Sequence, residues 1–289
     1  MDTPRMAEID GSRMHVFTTG GHIAGNKTLV FLAGQGTSSP MLDFKPLWYL
    51  LATKYKIAVI EKFGYGLSDI NNSPRDLSTI LSQTRAALTQ MGFSPPYVLL
   101  PHSISGLEAI FWAQIHPQEV EAIIGLDPTL PDTARLVKLG FRHKIAMRLA
   151  GRVVRKMDTE TSTYFCEKRY PSFKSPILTD DDRAMFVEIT RRSTLTKNMR
   201  NEFKYMRGNI AQIDVQELPI ATPFYLFSSN FSDASKQGIN PDKLLEKHRE
   251  FIGQFETAKH MQLGCGHYVH AEEPELIAHE ISEFIIDLS

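Results

Sequence analysis

The chain has 289 residues, and its 32 Lys and Arg residues nearly balance its 33 Asp and Glu residues. This balance excludes a protein that is held to nucleic acid by its overall charge. No apolar run approaches the roughly 18 residues that a membrane-spanning helix needs, and the N-terminus lacks the pattern of a signal peptide. We therefore expect a globular cytoplasmic protein that has no nucleic-acid partner.

Metal and cofactor signals are weak. The two cysteines, Cys166 and Cys265, are too few for a disulfide framework, and we expect both to be free thiols. The chain has no CxxC pair and no HExxH sequence, and no GxGxxG sequence follows a predicted strand. The sequence therefore predicts a protein without a metal or a cofactor.

Short apolar runs alternate with longer helical patterns along the chain. This alternation is typical of βαβ units and predicts an α/β fold with a parallel sheet. An N-terminal hairpin is expected to turn at Asp10 and Gly11, because Asp-Gly favours a tight two-residue turn. The other predicted strands lie at 28–33, 56–60, 97–101, 120–126, 223–228 and 258–263.

The helices between these strands are predicted from their apolar periodicity and their end signals. Pro46, Pro241 and Pro274 each precede or open a helical pattern, and Gly92 follows one where a C-terminal glycine cap would lie. The predicted helices lie at 47–55, 76–91, 107–116, 242–255 and 274–288.

One region, from about Asp132 to Arg207, interrupts the alternation and contains no convincing strand. It has 18 Lys and Arg residues against 9 Asp and Glu residues, whereas the remainder of the chain is acidic. An apolar residue recurs there at every fourth position, with arginines between. These residues are Val137, Phe141, Ile145, Leu149 and Val153, with Arg142, Arg148, Arg152 and Arg155. The pattern predicts an amphipathic lid helix that buries the apolar stripe. The alternative is a lid attracted to a membrane surface or to an anionic ligand.

The stretch PHSISG, residues 101–106, lies between a predicted strand and a predicted helix, where a nucleophilic serine could stand on a tight turn. The positions two residues before and after such a serine must be small. Ser105 has the bulky Leu107 at its second following position, whereas Ser103 has Ser105 there. Ser103 is therefore the predicted nucleophile, with Pro101 at the position where glycine is usual.

Four ordered motifs together resemble the α/β-hydrolase family over nearly the whole chain. Besides PHSISG, they are FLAGQG at 31–36, EKFGYGLSD at 61–69 and GHYVHAEEP at 266–274. The departures from the family pattern are Ala33 for His, Glu61 for Asp, and Pro101 for Gly.

The resemblance implies a mostly parallel eight-stranded sheet flanked by helices, with a helical cap inserted after strand 6. The corresponding division of the chain is a core at 1–131 and 208–289 and a cap at 132–207. In the turn of EKFGYGLSD, we expect Gly64 and Gly66 to have positive φ.

A serine nucleophile needs a base, and the base needs an acid that orients it. His267, in a glycine-containing loop after the last predicted strand, is the predicted base. Asp127 and Asp233 both follow strands, and both fit the order serine, acid, histidine. We favour Asp127 and keep Asp233 as the alternative.

The remaining histidines are predicted to have other roles. His102 is expected to point away from the site, and His270 to pack or to cap a helix. The others are interpreted as surface or packing residues; they are His15, His22, His116, His143, His248, His260 and His279.

The resemblance also implies an oxyanion hole formed by the backbone N–H groups of Gln35 and Ile104. The predicted function is that of a carboxylesterase-like serine hydrolase acting on a small-molecule ester or acyl substrate. Dehalogenases and epoxide hydrolases of the family fit less well, because they use Asp where Ser103 stands. The alternative is a receptor or regulatory binding protein whose triad turns over slowly or not at all.

Overall fold

A computed structural model of the chain describes residues 5–21, 27–136, 141–236 and 238–288; for 141–145 and 235–236 it describes the backbone alone. Within these ranges, eight strands form one open sheet in the order β1–β2–β4–β3–β5–β6–β7–β8. Only the pairings of β2 with β1 and with β4 are antiparallel; the others are parallel. The strands are β1 Met6–Ile9, β2 Ser12–Gly20, β3 Thr28–Leu32, β4 Lys56–Glu61, β5 Tyr97–Ser103, β6 Val120–Pro128, β7 Phe224–Ser228 and β8 Ala258–Gln262.

Helices cover both faces of this sheet, which is the arrangement expected of an α/β fold. They are α1 Pro40–Asp43, α2 Lys45–Leu51, α3 Leu77–Gln90, α4 Ser105–Ile115, α5 Pro131–Leu136, α6 Phe141–Val154, α7 Thr159–Arg169, α8 Asp180–Ser193, α9 Lys197–Asp214, α10 Ser232–Lys236, α11 Pro241–Ile252, α12 Val269–Glu272 and α13 Pro274–Asp287. Two short 3₁₀ helices lie at Pro117–Glu119 and Pro171–Lys174.

The predicted strands, and the hairpin with its turn, are confirmed. Asp10 and Gly11 both have positive φ, 52° and 70°, as the tight Asp-Gly turn requires. The predicted helix at 76–91 is also confirmed, because the Asp76 carboxylate accepts a hydrogen bond from the N–H of Thr79 and caps the first turn of α3.

Two apolar cores lie on the two faces of the sheet. In β3, Val30 and Leu32 belong to the core beneath α3 and α4, whereas Leu29 and Phe31 belong to the core beneath α2 and α13. Successive strand residues point to opposite faces, so β3 is apolar throughout because both of its faces are covered. This burial fixes the position of the strand ends that carry the candidate site.

The helices α5 to α9 lie between β6 and β7 in the chain and form one helical segment. The described part contains no strand between β6 and β7, and the predicted boundary at residue 207 falls within α9. A third apolar cluster joins this segment to the sheet domain through Tyr170, Phe173 and Phe186, which pack with Leu42 and Tyr268.

The side of α6 that is buried differs from the predicted one. Leu149 and Val153 are 52% and 57% exposed, whereas Met147, Gly151 and Val154 are buried. The prediction of a buried stripe through Leu149 and Val153 is therefore wrong. The cause is geometric, because Gly151 allows α6 to approach the loop at Leu195, and a Cβ at Gly151 would lie 3.0 Å from the Leu195 Cβ. Val137 and the side chains of Phe141, Arg142 and Ile145 lie outside the described residues.

A buried cluster of charges anchors α9 to the sheet domain. Glu202 of α9 forms ion pairs with Arg75 and Lys62 and accepts a hydrogen bond from the Tyr65 hydroxyl, and Lys62 also pairs with Glu108 of α4. Lys62, Arg75 and Glu202 are each at most 2% exposed. We call Lys62, Arg75, Glu108 and Glu202 the buried ionic cluster.

None of the helices in the described ranges is long and apolar enough to cross a membrane.

Candidate active site

The candidate site lies at the carboxyl end of β5, where the strand turns sharply into α4. Ser103 is the last residue of β5 and has a positive φ of 56°, and α4 begins two residues later at Ser105. A non-glycine residue in this region of φ is strained. The strain holds the half-buried Ser103 at the tip of the turn, as in a nucleophile elbow.

Two glycines, Gly34 and Gly106, pack closely against this turn. A Cβ at Gly34 would lie 2.7 Å from the Ser103 Cβ, and a Cβ at Gly106 would lie 2.5 Å from the carbonyl oxygen of Thr129. Both distances are shorter than real Cβ contacts allow. Glycine at 34 and 106 is therefore required for the observed packing around Ser103.

Ser105 is fully buried and does not line the cavity described below. Its hydroxyl oxygen lies 2.6 Å from the carbonyl oxygen of Leu32 and 2.8 Å from that of His102, so the hydroxyl donates its hydrogen bond to the backbone of the sheet domain. Pro101 is a buried residue of β5 and lies opposite Leu32 of β3. Of the two serines in PHSISG, Ser103 is the one that faces the cavity.

Asp127 and His267 are brought together from positions 140 residues apart. The Asp127 carboxylate lies 2.6 Å from His267 Nδ1 through one oxygen, and through the other it accepts a hydrogen bond of 2.9 Å from the N–H of Ser229. Asp127 lies near the end of β6 and, like Ser103, has a positive φ, 48°. The contact leaves His267 Nε2 as the ring nitrogen available to a reacting group.

The environment of Asp127 keeps its carboxylate ionised. Burial by itself would raise its pKa, but the hydrogen bond and charge of His267, together with the N–H of Ser229, outweigh it, and the pKa lies below its ordinary value. An ionised acid that is 5% exposed can fix the orientation of the imidazole and stabilise its protonated form.

Ser103, Asp127 and His267 line one cavity of about 220 Å³. No hydrogen bond joins Ser103 to His267 in the described part of the chain, although both face this space. The cavity wall also includes Thr133, Phe231, Leu244 and His248.

Asp233, the alternative acid, lies on α10 and also lines the cavity. His267 Nδ1, however, donates its hydrogen bond to Asp127. The two carboxylates thus occupy different places in the site, and Asp127 is the one in the orienting position.

The two backbone N–H groups expected to bind an oxyanion belong to Gln35 and Ile104. Gln35 follows Gly34, which packs against Ser103, and Ile104 directly follows Ser103. Neither N–H group donates to an acceptor within the ranges that the structure describes. The side-chain amide of Gln35 donates instead to the Met199 carbonyl oxygen of α9 at 2.7 Å, which ties this loop to the helical segment.

Two further histidines lie behind His267, away from the cavity. His102 is 2% exposed, and its Nε2 donates to the His267 carbonyl oxygen at 3.0 Å. His270 is buried and lies 3.2 Å from the Asp43 carboxylate. Burial, followed by the proximity of His267 and His270, holds the pKa of His102 well below its ordinary value. A neutral His102 therefore supports the backbone of the His267 loop.

A hydrogen-bonded chain that the sequence did not indicate runs from the cavity wall to β8. The Ser228 hydroxyl lies 2.7 Å from His248 Nδ1 and 2.9 Å from His260 Nε2, so it donates to one ring and accepts from the other. Burial lowers the pKa of His248 to about 4. The interpretation of His248 as a surface or packing residue missed its place in the cavity wall, because helical periodicity carries no signal for it.

Among the described residues, no group of three or more His, Cys, Asp or Glu side chains is arranged to hold a metal ion.

Comparison with known proteins identifies the fold. No family model matches the chain. A haloalkane dehalogenase DbeA variant from Bradyrhizobium elkanii aligns with a TM-score of 0.67 and 17% identity, covering 99% of this chain and 97% of that one. CarC, a serine hydrolase involved in carbazole degradation, aligns with a TM-score of 0.66 and 12% identity over 98% of both chains.

A sequence relative covers almost the same length. The chain is 30% identical over 283 residues to the uncharacterized protein YbdG of Bacillus subtilis (strain 168), which is 97% of this chain and 85% of YbdG. The chain belongs to one family with YbdG, and its fold is the α/β-hydrolase fold. The solved proteins that share this fold include hydrolases of different chemistries.

The turn EKFGYGLSD has a structural role in this α/β-hydrolase fold. The buried Glu61 carboxylate lies 2.9 Å from His15 Nδ1 and accepts hydrogen bonds from the N–H groups of Leu67 and Met41. Gly64 and Gly66 have φ of 84° and 50°, as expected, and a Cβ at Gly66 would overlap the Glu61 carboxylate. Glu61 thus organises the turn in place of the usual Asp.

Proposed function

We propose that this α/β-hydrolase-fold protein is a serine hydrolase that cleaves a carboxylic ester, or a related acyl bond, of a small molecule through an acyl-enzyme intermediate. The observation that carries the proposal is that Ser103 and His267 face one cavity while Asp127 holds His267 at 2.6 Å. The strained turn at Ser103 supports the role of this residue as the nucleophile.

In the proposed reaction, Ser103 Oγ attacks the ester carbonyl carbon while His267 Nε2 takes the hydroxyl proton. The bond between the carbonyl carbon and the alcohol oxygen then breaks, and His267 returns the proton to the leaving alcohol. A water molecule next attacks the acyl carbon and gives a proton to His267. The bond between the acyl carbon and Ser103 Oγ then breaks, the carboxylic acid product leaves, and His267 returns the proton to Ser103 Oγ.

The negative charge that develops on the carbonyl oxygen needs donors already in position. The N–H groups of Gln35 and Ile104 supply them in this proposal, and their lack of other acceptors in the described chain supports this role. Asp127 keeps the imidazole oriented and stabilises its positive charge during both halves of the reaction.

The cavity favours small acyl groups. Its volume of about 220 Å³ is below the roughly 300–1,000 Å³ of most ligand pockets. We expect p-nitrophenyl acetate to be hydrolysed with a higher kcat/KM than p-nitrophenyl laurate. Ser103 also argues against dehalogenation or epoxide opening, which use Asp at this position in the family.

A fluorophosphonate probe tests the nucleophile, because it reacts covalently with an activated serine. We expect the wild-type protein to be labelled, Ser103→Ala not to be labelled, and Ser78→Ala, which removes an exposed serine of α3, to be labelled as the wild type is. If the wild type is not labelled and hydrolyses no ester of the panel, the hydrolase proposal fails and the receptor alternative is favoured.

The acid is tested by comparing kcat for Asp127→Asn and Asp233→Asn. Loss of the orienting acid of a triad lowers kcat by about 10⁴-fold. We expect a loss of that order for Asp127→Asn and a much smaller change for Asp233→Asn. A severe loss in Asp233→Asn alone would show that the assignment of Asp127 is wrong.

A further inference from the structure

Four arginines of the helical segment lie close together. Arg148 and Arg152 are exposed on α6, four residues apart and therefore on one side of the helix, and the exposed Arg155 directly follows the end of α6 at Val154. Arg200 of α9 is half-buried beside them. We call these four residues the arginine cluster.

The loop between α8 and α9 holds two of these guanidinium groups in place. Arg155 Nη1 donates to the Thr194 carbonyl oxygen at 2.9 Å, and Arg200 Nη1 donates to the carbonyl oxygen of Leu195. Because these bonds use only one of the five N–H donors of each guanidinium, both side chains are positioned while most of their donors stay available to a ligand.

Negative charge does not balance the arginine cluster among the residues that the structure describes. None of its members forms an ion pair with a carboxylate in the described part of the chain. Burial, followed by the charges of Arg155, Arg148 and Arg152, lowers the pKa of Arg200, and no carboxylate of the described ranges opposes this effect. The four neighbouring cations therefore repel one another, and an added anion would relieve that repulsion.

The cluster is connected to the candidate active site through Leu195. Leu195 has a positive φ of 47°, and its Cδ2 lies 4.0 Å from the position of a Cβ at Gly36. Gly36 directly follows Gln35, and Gly34 packs against Ser103. The arginine cluster is thus linked, through Leu195 and the loop from Gly34 to Gly36, to the turn at Ser103.

We propose that the arginine cluster is a binding site for a phosphate group. Phosphate suits the cluster because it carries more than one negative charge, and the planar guanidinium donates two parallel hydrogen bonds to it. The phosphate group belongs either to a small phosphorylated molecule or to a phospholipid headgroup. Leu149 and Val153, exposed on the same helix, would contact lipid only in the second case.

Inorganic pyrophosphate is the probe for the first source, with its binding to the full chain measured by calorimetry at low salt. We expect Arg148→Gln/Arg152→Gln to bind about 10-fold or more weakly than the wild type, because hydrogen bonds between charged groups are lost. Arg249→Gln, which removes an exposed arginine of α11, is the matched control and should bind as the wild type does. Arg148→Lys/Arg152→Lys keeps the charge and should be intermediate.

Sedimentation with vesicles tests the second source, using phosphatidylglycerol vesicles against phosphatidylcholine vesicles. Binding to the anionic vesicles that is lost both in Arg148→Gln/Arg152→Gln and in Leu149→Ser/Val153→Ser assigns the phosphate to a lipid headgroup. Binding of pyrophosphate that depends on Arg148 and Arg152, without binding of the wild type to either kind of vesicle, assigns it to a small molecule.

The proposal is overturned if the wild type binds neither probe, or if the arginine variants and Arg249→Gln bind equally. Circular dichroism verifies that each variant is folded. Because the substituted side chains are exposed, we expect folding not to depend on them. If the double variant is not folded, Arg152→Gln alone replaces it. None of these measurements uses ester hydrolysis, so the outcome is independent of the proposed serine hydrolase activity.

Discussion

The buried ionic cluster and the arginine cluster are both built partly on α9, yet they are organised in opposite ways. Glu202 points into the sheet domain, where Lys62 and Arg75 balance it together with Glu108. Arg200 lies two residues earlier, among three other arginines with no carboxylate partner in the described chain. One helix thus carries a balanced buried cluster and an unbalanced surface cluster.

The difference follows from solvation. A buried charge loses its hydration and is tolerated only beside an opposite charge, as the pairing of Glu202 with Arg75 illustrates. Exposed arginines keep their hydration and tolerate one another, because water and salt weaken their repulsion. The balanced cluster therefore serves the fold, whereas the unbalanced one is suited to an external anion.

Removal of Glu202 should have the largest effect on stability. Glu202→Ala leaves Arg75 buried without its partner, and we expect a loss of about 3–5 kcal/mol in the free energy of unfolding. Urea denaturation measures this loss, with Glu188→Ala, at an exposed position of α8, as the control that should change by no more than about 0.5 kcal/mol. Equal losses in the two variants would show that the buried ionic cluster does not anchor α9.

The buried His248 should make the stability of the fold depend on pH, whereas the exposed arginines stay charged. The pKa of His248 falls from 6.5 to about 4 on folding, so between these values the unfolded chain binds a proton that the folded chain does not. Stability should therefore fall as the pH decreases through this window, by on the order of 3 kcal/mol from His248. Below about pH 4 this contribution should be constant.

Urea denaturation between about pH 7 and pH 4 tests this slope. In His248→Gln the slope should be smaller, although His102, whose pKa is lowered in the same direction, will keep part of it. A slope that is identical in wild type and His248→Gln would contradict the burial of a neutral imidazole at this position.

The smallest expected effect is that of salt on the arginine cluster. Raising NaCl from about 0.05 to 0.5 M shortens the range of electrostatic repulsion, so the wild type should become slightly more stable. Arg152→Gln should change stability by no more than about 0.5 kcal/mol and should show a weaker salt dependence. Arg249→Gln should retain the salt dependence of the wild type, and a loss in both variants would mean that the effect is not specific to the cluster.

Much of the architecture could be predicted from local sequence patterns. The apolar runs of β3, β5 and β6 have the length of strands and are flanked by helical periodicity, so they specify parallel strands covered on both faces. The strand-to-helix context of Ser103 was likewise visible within a few residues. These features depend on neighbours in the chain, which is why the sequence alone indicates them.

Features that depend on distant residues could not be predicted in the same way. Helical periodicity correctly indicated that α6 is amphipathic, but not which side is buried, because that depends on Gly151 meeting Leu195. The approach of His248 and His260 to Ser228 also joins separate elements. Such contacts leave no regular spacing in the sequence.

The sequence by itself determined the α/β architecture, the tight turn at Ser103 and the basic character of the helical segment, because each rests on local periodicity or composition. Only the tertiary structure decided which carboxylate, Asp127 or Asp233, bonds to His267, since both follow strands at the same edge of the sheet. It also separated the charges of α9 into a buried balanced cluster and an exposed unbalanced one. The physical reason is that burial and ion pairing depend on contacts between residues that lie far apart in the chain.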